Sequence, residues 1–292
     1  MLSVQTFRSI FVSGFMLAAA AGAARAEEGV LRVGTEGDAP LFSMADANGN
    51  VTGFDADVAN GICAELKMKC KFVVQAFSSL VPSIDSDRFD VIISGLGITA
   101  ERQKKIDYSI PYATTPLYFV VPKDSSLAGL KSLEEIETAL AGKSVGVVTG
   151  TTYAKFIGKR ATSADLKTYD ATTQQTSDLA AGRLDAAFGD SPTWMDFLAT
   201  PDGANFTKID VKIMAMNDPE TLGHGMGVGM RKGNAELKAK IDVALCNMIN
   251  GGKIKESSLK WFKDDYTIPA RSDPLATTGR RSPRRPDGVV HV

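Results

Sequence analysis

Arg102 and Asp190 are the two charged residues whose sequence settings suit them to hold a small ligand. Thr99 stands three residues before Arg102 and is a good helix N-cap, so Arg102 falls in a first helical turn. Its five donors form a rigid fork that matches a carboxylate. A solvated arginine on a helix surface is the alternative, and residue type alone does not separate the two. Asp190 follows the apolar run Ala186-Ala187-Phe188-Gly189. Open α/β sheets hold ligands beyond the ends of such strands, although an aspartate here also suits the cap of a helix starting near Pro192. Asp55 is a further acid, placed either to face a ligand or to cap its own helix.

Other chemistries are excluded by count. The chain has two histidines, His224 and His291, and three cysteines. A histidine-rich metal site or a zinc cluster of ordinary spacing cannot be built from these. We expect no metal and no cofactor. With 33 Lys plus Arg against 34 Asp plus Glu, nothing points to a nucleic-acid partner.

The elements that must position these residues read as α/β. Residues 30–34 suggest a strand. Phe54, Val58, Ile62 and Leu66 recur every four residues, as in an amphipathic helix. A strand at 71–75, a short helix at 80–84 and the apolar run 91–93 complete half of an open sheet. A polar turn is expected at 45–50. The same order returns as a strand at 144–148, a helix at 153–159, an extended stretch at 166–169, a helix at 176–181 and a strand at 183–188. Arg88-Phe89-Asp90-Val91-Ile92-Ile93 and Arg183-Leu184-Asp185-Ala186-Ala187-Phe188 share one pattern: basic, apolar, aspartate, then an apolar strand. We therefore expect two lobes of similar architecture, joined by extended segments at 112–122 and 223–230. Helices at 234–250 and 254–264 follow.

The first 26 residues read as an export signal. Arg8 gives a positive start, residues 10–24 are apolar or small, and Ala24-Arg25-Ala26 suits a signal peptidase. The apolar stretch makes a helix of about 22 Å, short of the roughly 30 Å hydrocarbon slab. In an oxidising compartment Cys63 and Cys70, seven apart, are expected to pair, and Cys246 to be a buried free thiol. Residues 271–292 are rich in Arg, Pro, Gly and Ser and are expected to be a disordered basic tail. The expected organisation is signal peptide 1–26, lobe 1 from 27–115 and 223–270, and lobe 2 at 116–222.

Six stretches in order make the sequence resemble the periplasmic substrate-binding proteins of polar-amino-acid ABC importers, the group of the lysine/arginine/ornithine- and histidine-binding proteins. They are Gly34-Thr35-Glu36-Gly37, Gly53-Phe54-Asp55-Ala56-Asp57, residues 94–102, residues 145–152, Ala186-Ala187-Phe188-Gly189-Asp190 and residues 225–232. The resemblance spans about residues 29–267. It implies a two-lobed type II periplasmic-binding-protein-like fold that closes on its ligand. It implies a soluble, monomeric periplasmic protein of a Gram-negative bacterium, delivering a polar, cationic amino acid or an opine-like conjugate to an inner-membrane ABC permease. The Cys63–Cys70 pair matches a disulfide of the basic-amino-acid members.

The same resemblance assigns the cleft. Arg102, the Gly97 N–H, Thr151 and Thr152 would hold the ligand's carboxylate. Asp190 would take its α-ammonium, helped by Ser94 and Gly95. Glu36 would face a distal cation, and Phe77 would line the cleft. One departure stands out: an aromatic ring that stacks on the ligand in many members is replaced here by Ala39. That opens space for a bulkier ligand, unless a neighbour such as Phe42 fills it. Two rival roles are a solute receptor that signals through a membrane partner and an enzyme resembling cyclohexadienyl dehydratase. The latter needs a positioned proton donor, and no isolated His or Lys marks one, so we expect no enzyme activity.

Overall fold

The structure is a computed structural model that describes residues 29–270; the expected export segment 1–26 and the tail 271–292 lie outside the described residues. Two five-stranded sheets carry the chain, each built around three parallel strands. The first runs Lys69–Val74, Val30–Thr35, Val91–Ile92, Gly229–Met230, Asp107–Tyr108. The second runs Asp165–Tyr169, Ser144–Val148, Ala186–Asp190, Leu117–Pro122, Phe206–Lys208. In each, an antiparallel strand flanks the parallel trio: Gly229–Met230 beside Val91–Ile92, and Leu117–Pro122 beside Ala186–Asp190. Apolar side chains fill both faces of the two sheets, which explains the continuous apolar runs at their centres.

The repeated sequence pattern has a repeated structural cause. Asp90 accepts the Arg32 N–H at 2.9 Å, and Asp185 accepts the Ser144 N–H at 2.8 Å. Each aspartate thus pins the start of its own strand to the neighbouring parallel strand. The apolar residue before each aspartate, Phe89 or Leu184, is buried against a glycine two residues along that neighbour. A Cβ on Gly34 would lie 2.8 Å from the Phe89 ring, and one on Gly146 would lie 2.4 Å from Leu184. Both glycines are therefore fixed by close packing, not by turn geometry.

Several elements differ from expectation. The polar stretch before the first helix is a three-stranded sheet of Asp38–Ala39, Ser43–Ala45 and Val51–Thr52. Its short strands carry too few side chains to produce a readable alternation. It also caps the helix Phe54–Leu66, whose N-terminus has no side-chain cap: the Phe54 and Asp55 N–H groups donate to Leu41 O and Phe42 O, each at 2.9 Å. Gly53 makes that junction with φ 122°, and a Cβ there would meet Phe42 O at 2.2 Å. The helix expected at 176–181 begins earlier and spans Thr172–Ala180. Of the two long extended segments, only Leu117–Pro122 and Gly229–Met230 are strands. Between the lobes the two segments pair through Tyr112 N–H to Met226 O at 3.0 Å and Met226 N–H to Ala113 O at 2.8 Å. A third segment joins them, with the Thr114 N–H on Tyr266 O and the Ile268 N–H on Tyr112 O.

The helix Ala235–Asn250 packs on Phe54–Leu66 through Ile241, Ala244, Leu245 and Met248. Cys246 is free but half-buried, not buried as expected, because it lies at the edge of that stripe. Cys63, in the last turn of Phe54–Leu66, bonds to Cys70 in the adjoining strand, with Cα atoms 5.8 Å apart. Closing so short a loop is worth about 2–3 kcal/mol in the chain-entropy model. The Cys63→Ser/Cys70→Ser double variant should lose about that much stability in denaturant unfolding. A midpoint equal to that of the oxidised protein would show that the link does not constrain the unfolded chain.

Candidate ligand-binding site

The cleft lies where the carboxyl ends of both parallel trios face one another. Glu36 follows the strand Val30–Thr35, Ser94 and Gly95 follow Val91–Ile92, Thr151 and Thr152 follow Ser144–Val148, and Asp190 ends Ala186–Asp190. One cavity is lined by Glu36, Phe77, Ser94, Gly95, Gly97, Arg102, Thr151, Thr152 and Asp190 together. Nine of the ten candidate site residues therefore converge on one space. The tenth, Asp55, is outside the lining. It is 1% exposed, and its Oδ1 accepts the Gly95 N–H at 3.1 Å. It neither faces the cavity nor caps its helix; it holds the glycine loop from below.

Arg102 is fixed on three sides. Thr99 caps its short helix, accepting the Arg102 N–H at 3.2 Å. The guanidinium donates to Gly97 O at 3.0 Å and, across the cleft, to Gly150 O at 2.9 Å. It lies 5.4 Å from the centre of the Phe77 ring, within cation–π range. Opposite, Thr151 caps the helix Thr152–Arg160, accepting the Tyr153 N–H and donating its own hydroxyl to Val148 O at 2.6 Å. Arg102 and this helix start thus form one electropositive wall.

Asp190 forms the other pole. Its carboxylate accepts the hydroxyls of Thr115 and Tyr153, one on each oxygen, and makes no side-chain cap to the helix Ser191–Leu198. Neither hydroxyl was assigned from the sequence. Tyr153 directly follows the Thr151-Thr152 pair, so its position was available there; Thr115 offered only its place in a crossover. Ala39 and Phe42 both line the cavity. Phe42 also packs on Phe262 in the core, 4.9 Å away between ring centres.

Acidic side chains gather in the interior. Burial pushes the Glu36 carboxyl up to about 8, and the charges of Asp38, Asp55 and Asp190 push the same way. Burial pushes Asp55 up to about 7, opposed by the Gly95 N–H. Burial also raises Asp190, while the Thr115 and Tyr153 hydroxyls oppose the shift. Glu36 Oε1 and Asp55 Oδ2 are buried without a hydrogen-bond partner among the described residues. A buried carboxylate oxygen in that condition favours a cation beside it or a proton on it.

A raised carboxyl binds its proton more tightly in the folded chain than in the unfolded one. The stability it contributes is present in full below about 4.5, the ordinary value, and is lost as pH rises through about 8. The ligand-free protein should therefore lose stability between about pH 5 and pH 8. Glu36→Gln should flatten that slope in denaturant titrations. A slope unchanged by the substitution would assign the effect elsewhere.

Residues 31–264 match the model of the bacterial extracellular solute-binding proteins, family 3. The chain is 34% identical over 238 residues to the L-arginine-binding protein of Pseudomonas aeruginosa, covering 80% of this chain and 88% of that one. It is 33% identical over 258 residues to the lysine/arginine/ornithine-binding periplasmic protein of Escherichia coli, covering 87% and 94%. Among solved structures, a Salmonella typhimurium periplasmic binding protein of high arginine specificity superposes with a TM-score of 0.70 at 30% identity, over 80% of this chain and 99% of that one. The family match spans most of the chain, and relatives above 30% identity cover at least four fifths of it: the chain belongs to the bacterial extracellular solute-binding proteins, family 3.

Proposed function

We propose that this protein binds a cationic amino acid in the cleft, without turning it over, and presents it to the membrane permease of an ABC importer. The observation that carries this reading is Glu36, buried in the cavity lining with an unpartnered carboxylate oxygen, in a cavity that also holds Arg102 and Asp190. A free amino acid with a cationic side chain has one carboxylate and two cations. Arg102 and the Thr152 end of its helix suit the carboxylate, Asp190 the α-ammonium, and Glu36 the distal cation. The arginine- and lysine/arginine/ornithine-binding relatives support the same ligand class. Their periplasmic descriptions, with the expected export signal, support a soluble exported protein. Sheet membership supports lobe 2 at 116–222 and lobe 1 from 27–115 and 223–270.

One observation favours a second ligand class. Ala39 lines the cavity where many relatives would place a ring, leaving room for a conjugate bulkier than a free amino acid. Calorimetry with arginine, lysine, ornithine, histidine, glutamine and octopine separates the two readings. A cationic amino acid should bind at micromolar or better, and Arg102→Ala should cost about 2–5 kcal/mol, as for a buried charge pair broken on one side. Tight binding of octopine alone would move the assignment to conjugates. A loss under tenfold for Arg102→Ala would remove the guanidinium from the carboxylate site.

A further inference from the structure

The helix Thr172–Ala180 starts without a cap of its own. Ala171 occupies its N-cap position and has no side-chain oxygen to offer. One of its orphan donors is met from the other lobe: Asp38 Oδ2 accepts the Thr173 N–H at 3.0 Å, and with it the Thr173 hydroxyl at 2.9 Å. Asp38 belongs to the small sheet of the first lobe, and the helix belongs to the second. A carboxylate at this end also meets the positive pole of the helix. Thr172 and Gln175 of the same helix line the cavity, as does Ala39, the neighbour of Asp38.

We propose that Asp38 is a positioning residue that sets the balance between open and closed forms by capping the helix Thr172–Ala180 across the cleft. When the lobes part, the helix loses its cap and the carboxylate returns to water. The contact therefore exists only in the closed form, and its free energy adds directly to closure. It closes the end of the cavity where Ala39 leaves room, while the Arg102 contact with Gly150 O closes the end at Thr151. The expected effect on ligand release rests on the binding reading above; the effect on closure does not.

The test is a double-mutant cycle of Asp38→Ala and Thr173→Ala, read by distances between fluorescent labels on the two lobes. Removing a cap of this kind should lower the closed-to-open ratio of the ligand-free protein roughly five- to tenfold, with no further loss in the double variant. Asp38→Asn removes the charge that raises Glu36 but keeps an accepting oxygen, so it should retain most of the closed population. In stopped-flow release of bound arginine, the off-rate should rise by about the same factor with the on-rate nearly unchanged. Additive effects of the two substitutions, or an unchanged closed population in Asp38→Ala, would overturn the proposal. If the wild type binds no cationic amino acid while the cycle still shows coupling in closure, the cross-cleft cap stands and the ligand assignment falls.

Discussion

Carboxylates drawn together out of water are the constraint on which the cleft depends. Burial raises Glu36, Asp55 and Asp190; the charges of Asp38, Asp55 and Asp190 add to the shift of Glu36 and that of Asp190 to the shift of Asp55, and the chain satisfies the three unequally. Asp190 has two hydroxyls, Asp55 has the Gly95 N–H on one oxygen, and Glu36 Oε1 has no partner among the described residues. That gradient orders their roles. In the proposed reading the best-supported carboxyl is the most firmly oriented one and takes the α-ammonium, while the least-supported one gains most from a cation brought by the ligand. Arg102 is oriented in advance by two carbonyls and an aromatic face, so a carboxylate meets a guanidinium already in place.

The scaffold delivers these groups by using one construction twice. In each lobe an aspartate fastens the third parallel strand to the first, and the apolar residue before it packs onto a strand glycine with no room for a side chain. The strands are thereby fixed in register, and their carboxyl ends project loops toward the opposing lobe. Because both lobes are built alike and face each other, an acid from one and a helix N-terminus from the other arrive in the same space.

The small sheet at Asp38–Thr52 links these two levels. It caps the first helix of its own lobe with Leu41 and Phe42 carbonyls, and it reaches the second lobe through Asp38. The same Asp38 charge that meets the helix Thr172–Ala180 also raises Glu36. Closure and the affinity of the cavity for cations are therefore coupled through one side chain.

Much of this was determined by the sequence alone. Four-residue periodicity located the helix Phe54–Leu66, apolar runs located the central strands, and the repeated basic-apolar-aspartate pattern announced two similar lobes, because each of these is a local signal tied to burial. Nine of the ten site residues assigned in advance line the cavity, and motif resemblance named those nine, since strand-end loops keep their residue types adjacent in the chain. Only the tertiary structure decided the rest. Asp55 reads as a ligand acid until the fold turns it beneath Gly95, and Thr115 and Tyr153 become partners of Asp190 only when a crossover and a helix start meet at one strand end. The cap of the helix Thr172–Ala180 is the extreme case, because its acceptor lies 135 residues away in the other lobe. Spacing along the chain carries no information about such a contact; it exists because two separately folded sheets close on one another.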